Sequence, residues 1–176
     1  MNARLLRIGV ILTAAVASSA SAQDDAPSIR ASLQALPASA KVQLTNEQWR
    51  RILTPAQFAV LRQAATEPPF QNEYASSHAS GTYCCGACAT ELFSSAAKYD
   101  SGTGWPSFTA PLQKQRIRLA TDRSNGQTRQ EVLCARCDSH LGHLFKDGPP
   151  PARLRYCLNS AALQLKPATH QTGSAR

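Results

Sequence analysis

The spacing of apolar and polar residues changes character along this chain of 176 residues. Trp49, Ile52 and Leu53 form a short helical stripe behind Thr45-Asn46-Glu47-Gln48, where a threonine and a glutamine three positions on can cap each other's backbone N–H groups. Thr54-Pro55-Ala56-Gln57 repeats the device, with proline at the first helical position and Phe58, Val60 and Leu61 following. Two short helices packed on a main body are expected. From Glu67-Pro68-Pro69-Phe70 onward, Gly, Pro, Ser and Asn cut the chain into short segments. Ile117-Arg118-Leu119, Glu131-Val132-Leu133-Cys134 and Leu154 to Leu158 alternate as half-buried strands do, with Asp122 to Gly126 as a hairpin turn. Ala161 to Leu165 are expected to finish the last strand. The fold class that follows is mainly β and mostly antiparallel, with short helices on its N-terminal side.

The ends of the chain read differently. Arg4 and Arg7, an apolar run from Ile8 to Ala17 and the small-residue pattern Ala20-Ser21-Ala22 predict a signal peptide over residues 1–22. That run is too short to span a bilayer stably, and nothing later approaches the length needed. The expectation is an exported, periplasmic protein with no membrane span in its mature chain. Residues 23–41, rich in Ala, Ser, Pro and Asp, read as a flexible leader, 42–165 as one domain, and 166–176 as a disordered tail. The formal charge of +8 comes from 19 Lys/Arg against 11 Asp/Glu, with the arginines scattered rather than blocked. Such a spread, in an exported chain, argues against a nucleic-acid partner.

Six cysteines in an oxidising compartment suggest three disulfides by default. Their spacing argues otherwise. Cys85-Gly86-Ala87-Cys88 and Cys134-Ala135-Arg136-Cys137 are two C-x-x-C knuckles, each able to aim two sulfurs at one metal ion. Four thiolates close a tetrahedral zinc site, which makes it structural and clamps two distant segments together. The alternative is a pair of redox dithiols, which lacks the expected βαβ context here. Cys84 points away from the metal if its segment is extended, and reads as a buried apolar residue, with a recycling role as the alternative.

One sulfur is left over. In an extended Arg155-Tyr156-Cys157-Leu158-Asn159, Arg155, Cys157 and Asn159 share a face. The guanidinium there favours a thiolate, and Asn159 could donate a hydrogen bond to it. A quiet buried cysteine is the competing reading. His140-Leu141-Gly142-His143-Leu144-Phe145-Lys146-Asp147 brings two imidazoles and a carboxylate near one another in sequence. With the zinc already satisfied by sulfur, those imidazoles are free to move protons. Trp105, in a loop bounded by Gly102, Gly104 and Pro106, fits a pocket wall and a core residue equally well.

Taken together, Cys85-x-x-Cys88, Asp100-Ser101-Gly102-x-Gly104-Trp105-Pro106-Ser107-Phe108, Cys134-x-x-Cys137, His140-Leu141-Gly142-His143 and Arg155-Tyr156-Cys157-Leu158-Asn159-Ser160 resemble the B-type methionine sulfoxide reductases. The resemblance runs from about Thr45 to Leu165. It implies two small antiparallel sheets and a structural zinc ion far from the chemistry. It also implies reduction of the R epimer of methionine sulfoxide in oxidised proteins or peptides, as a repair activity under oxidative stress. By the same resemblance Cys157 is the nucleophile, and His140 and His143 bind and protonate the sulfoxide oxygen. Trp105 and Phe145 hold the substrate methyl group, and Arg155, Asp147 and Asn159 support the thiolate and its water. Attack of the thiolate leaves a sulfenic acid on Cys157. Many members carry a resolving cysteine between the two glycines of the Trp loop, where this chain has Thr103. The implied reductant is therefore an external thiol, thioredoxin-like or small, acting on a monomer. A zinc-ribbon binding module is the rival class, and it requires a Cys157 inert to thiol reagents.

Overall fold

The computed structural model describes residues 25–168. The expected signal peptide at residues 1–22 lies outside them. Three helices, α1 (Ala26–Ala35), α2 (Asn46–Ile52) and α3 (Pro55–Gln63), precede nine strands: β1 (Gly81–Cys85), β2 (Glu91–Ser94), β3 (Lys98–Tyr99), β4 (Ser107–Phe108), β5 (Ile117–Asp122), β6 (Arg129–Cys134), β7 (His140–Phe145), β8 (Arg155–Leu158) and β9 (Leu163–Pro167). They form two antiparallel sheets, a three-stranded one ordered β2-β1-β9 and a six-stranded one ordered β3-β4-β8-β7-β6-β5. The mainly β architecture expected from the pattern is the one observed. No helix among the described residues is long and apolar enough to cross a membrane.

Both capping boxes form, Thr45 with Gln48 and Thr54 with Gln57, each with its side chains and backbone N–H groups paired reciprocally. α2 and α3 then bury Trp49, Ile52, Phe58, Val60 and Leu61. An unbroken aromatic chain joins the sheets: Tyr83 meets Phe108 at 5.0 Å between ring centroids, Phe108 meets Phe93 at 4.8 Å, and Phe93 meets Tyr156 at 5.6 Å. These rings come from β1, β4, β2 and β8. Each fully buried one contributes about 1.5–3 kcal/mol by removal from water, with about 0.5–1.5 kcal/mol more per well-oriented pair.

Three expectations need correction. The leader carries a helix, with Asp25 capping α1 by accepting from Ser28 N at 2.8 Å and Ile29 only 3 % exposed. Its anchor is Arg136, whose guanidinium donates to the carbonyls of Leu36, Pro37, Ala40 and Cys88 at 3.0–3.3 Å. The three leader carbonyls are satisfied by a residue about a hundred positions away, which no local composition announces. The disordered tail was expected to begin at 166, yet Lys166 and Pro167 pair with Thr82 and Gly81, and residues 169–176 lie outside the described residues. Finally, Ala161 to Leu165 do not extend β8. A 3-10 turn over Ser160–Ala162 breaks the strand, and Leu163 onward crosses to the other sheet as β9.

Candidate active site and metal centre

The two knuckles are built alike. In each, the residue after the second cysteine turns left-handed, Ala89 at φ 59° and Asp138 at φ 55°, and donates back to the first cysteine's carbonyl at 2.9 Å. The outcome is a buried cluster of Cys85, Cys88, Cys134 and Cys137 whose sulfurs all lie within 4.8 Å of one another. Cys85 to Cys137 spans 3.7 Å and Cys88 to Cys134 spans 3.6 Å. Four sulfurs at about 2.3 Å from one tetrahedral ion stand about 3.8 Å apart, so this donor set fits a thiophilic metal without rearrangement. Cys88 shares a hydrogen bond of 3.2 Å with the Thr90 hydroxyl and Cys137 one of 3.2 Å with the Ser139 hydroxyl, contacts of the kind that orient such ligands. Cys84 is buried beside them but its sulfur turns to the Thr82 carbonyl at 3.7 Å, as the apolar reading expected.

The other constellation sits where β7 runs beside β8. His143 is the register partner of Cys157, and Ser107 on β4 is its partner on the other side. His140 and His143 are three apart, so a regular strand would point them to opposite faces. A bulge prevents this. Leu133 pairs with His140 and Val132 with Gly142, leaving Leu141 as the extra residue, and the two rings meet edge to face with centroids 5.3 Å apart. Gly142 is the residue that lets β7 come so near β8. A Cβ there would lie 2.1 Å from the Cys157 carbonyl oxygen and 2.8 Å from Leu158 Cα.

Around Cys157 the structure places a small cavity of about 110 Å³, lined by Thr66, Trp105, Arg129, His143, Phe145 and Asn159 along with the β7 and β8 backbone. Trp105 is thereby resolved as a pocket wall, half-buried and pinned by its indole N–H to the Glu67 carbonyl at 3.0 Å. Arg155 lies 4.3 Å over the Phe145 ring and grips Asp147 with two hydrogen bonds of 2.8 Å. That clamp fixes the second aromatic wall. Thr103 Oγ1 stands 4.0 Å from the Cys157 sulfur and continues through Ser101 to Ser107 by hydroxyl contacts of 2.8 Å.

Electrostatics temper one expectation. Burial pushes the Cys157 thiol up from its ordinary value, opposed by the Arg155 charge and by hydrogen bonds from Thr103, Ser107 and Arg155. The guanidinium acts in the expected direction, yet desolvation is the larger effect. Asn159 lines the same cavity and is held there by backbone groups. Its amide donates to the Leu141 carbonyl at 3.2 Å and accepts from Glu67 N at 3.1 Å, so it braces the pocket floor.

Three residues of the site escaped the sequence reading. Glu131 accepts from His140 Nδ1 at 2.6 Å, leaving His140 Nε2 buried without a protein partner. Asp122 meets His143 Nε2 at 2.8 Å and Arg129 at 2.7 Å. Hydrogen bonds from Ser124, His143 and Arg129 hold the Asp122 carboxyl well below the usual carboxylate range, while burial pushes His143 down. The pair therefore rests as carboxylate and neutral imidazole, and His143 Nε2 carries the proton. In sequence Asp122 and Glu131 look like ordinary hairpin residues. Only their alternation on β5 and β6, opposite a histidine strand, could have flagged them.

The SelR domain model matches residues 53–167. "Peptide methionine sulfoxide reductase MsrB" of Bradyrhizobium diazoefficiens is 57 % identical over 127 residues, 72 % of this chain and 91 % of that protein. The protein of the same name from Thiobacillus denitrificans is 55 % identical, covering 70 % of this chain and 93 % of its own. That from Acinetobacter baylyi is 52 % identical, with 72 % and 91 % covered.

Proposed function

This chain belongs to the SelR-domain family of MsrB-type methionine sulfoxide reductases, and we propose that it reduces the R epimer of methionine sulfoxide in oxidised proteins and peptides through a one-cysteine cycle. The observation that carries the reading is the pairing of a partly accessible thiol with a histidine across β7 and β8, inside a pocket walled by Trp105 and Phe145. A methyl group suits those walls, and the cavity volume suits the end of one side chain.

The Cys157 thiolate attacks the sulfoxide sulfur, and two electrons pass from the thiol to that sulfur. The oxygen goes to Cys157 as a sulfenic acid, and the thioether leaves. His143, neutral with its Nε2 proton held by Asp122, takes the Cys157 thiol proton on its other ring nitrogen and returns it to the oxygen, with His140, oriented by Glu131, beside it. Two equivalents of an external thiol then return Cys157 to the thiol, with water and a disulfide as products. Thr103 supports this route, because the Trp-loop side chain between the two glycines, 4.0 Å from the sulfur, ends in a hydroxyl that cannot form a disulfide.

Zinc is the metal that best suits the four-cysteine cluster, held by Cys85, Cys88, Cys134 and Cys137, where it would clamp the knuckles and take no part in proton or electron transfer. Export to the periplasm and action as a monomer complete the reading.

Mass spectrometry after one equivalent of substrate, without reductant, tests the mechanism. One added oxygen atom on Cys157 is the expected result, and Cys157→Ser should abolish turnover with dithiothreitol while Cys84→Ser leaves it intact. A disulfide spanning Cys84, or full activity in Cys157→Ser, overturns the cycle.

A further inference from the structure

Phe70 is the oddest residue near the site. It is 71 % exposed and holds a left-handed backbone at φ 62°, a combination that a bulky side chain rarely adopts. The surrounding structure enforces it. Phe70 N donates to the Gly104 carbonyl at 2.8 Å, and Asn72 Nδ2 donates to the same carbonyl at 2.7 Å and to Pro68 at 3.2 Å. The ring lies against Gly104 so closely that a Cβ there would meet Phe70 Cδ2 at 2.8 Å and Pro69 Cβ at 2.7 Å. Gly104 itself is left-handed, at φ 86°, and precedes the pocket wall Trp105. A largely solvent-facing ring on a strained backbone thus rests on Gly104 beside the Trp105 loop, most of its surface uncovered.

Pro68 and Gln71, which flank Phe70 in sequence, line a groove of about 550 Å³ between α3 and the loop after it, together with Ala56, Val60, Thr66 and Leu163 among others. Thr66 lines both this groove and the Cys157 cavity, so the two are neighbours. The cavity, at about 110 Å³, takes only the tip of a side chain, and the remainder of any larger substrate must lie outside it.

We propose that Phe70 and the groove beyond Thr66 form a docking platform for the polypeptide flanking an oxidised methionine, making Phe70 a specificity-determining residue for extended chains with apolar neighbours. The inference rests on the reductase reading above. An apolar side chain next to the methionine sulfoxide would cover the Phe70 ring, and the chain would continue along the largely apolar groove.

Steady-state kinetics on two substrates test it: N-acetylmethionine R-sulfoxide, and an unstructured peptide with one R-sulfoxide flanked by leucines. Phe70→Ala should raise KM for the peptide about tenfold, the loss of one aromatic contact, with kcat unchanged and both constants for the small substrate within about twofold. Phe70→Tyr, which keeps the ring, should restore the peptide KM. Ala56→Trp, which fills the groove away from the cavity, should raise the peptide KM in the same selective way. Equal effects on both substrates, or an unchanged peptide KM in Phe70→Ala, overturn the platform while leaving the reductase intact. A wild-type protein that reduces neither substrate overturns the reductase reading and the platform with it.

Discussion

Replacing Gly142 by alanine joins the fold to the chemistry in a single methyl group. The new Cβ would sit 2.1 Å from the Cys157 carbonyl oxygen, 0.9 Å inside the 3.0 Å that such atoms essentially never breach. Both atoms belong to paired backbone, so no side-chain rotation relieves the clash, and β7 must move from β8 by nearly an ångström. Overpacking of this kind costs about 1–3 kcal/mol, and a weakened ladder hydrogen bond adds about 1 kcal/mol. A loss of about 2–4 kcal/mol corresponds to a fall of roughly 5–12 °C in Tm for a domain of this size. The displaced strands carry His143 and Cys157, and misplacement by about 1 Å can cost on the order of a hundredfold in rate. Circular dichroism melting gives the first quantity, and dithiothreitol-coupled turnover of N-acetylmethionine R-sulfoxide the second. Metal content should be unaltered, since the atoms the new Cβ meets belong to Cys157 and Leu158 and to none of the four ligands. A Tm within about 2 °C of wild type together with kcat within about twofold would refute the argument that this close approach sets the site.

Further outcomes follow from the same geometry. Cys85→Ser should lose the bound metal and the cooperative unfolding transition, because structural zinc contributes about 10 kcal/mol or more to comparable small domains; elemental analysis and melting check it, and an intact, metal-free fold refutes it. Glu131→Gln keeps size but removes the carboxylate 2.6 Å from His140 Nδ1, and should lower kcat at least tenfold with KM little changed. Alkylation of Cys157 by iodoacetamide should accelerate with rising pH and reach half its limit above the ordinary cysteine value, since burial raises this thiol. Because the folded state holds that proton more tightly than the unfolded chain, the Cys157 contribution to stability is present below the unfolded pKa and fades as pH rises through the folded one. An alkylation midpoint below neutrality would show that the Arg155 charge outweighs desolvation.

Local chemistry is what the sequence alone determined. Capping boxes, the Asp122–Gly126 hairpin turn and the C-x-x-C knuckles act over a few residues, so Thr45, Thr54 and the four cysteines could be read directly and stand where expected. Short motifs that occur together also singled out Cys157, His143, Trp105 and Phe145, which the fold brings to one cavity. Tertiary structure decided which of them meet, and how. The Leu141 bulge turns His140 toward His143, Asp122 and Glu131 become histidine partners only once β5 and β6 lie beside β7, and Asn159 is held in the cavity wall by backbone groups. Arg136 likewise orders a leader whose composition suggests none. Strand register and cross-sheet contacts depend on residues tens of positions apart, and a shift of one residue reverses every side chain, so no short-range pattern can encode them.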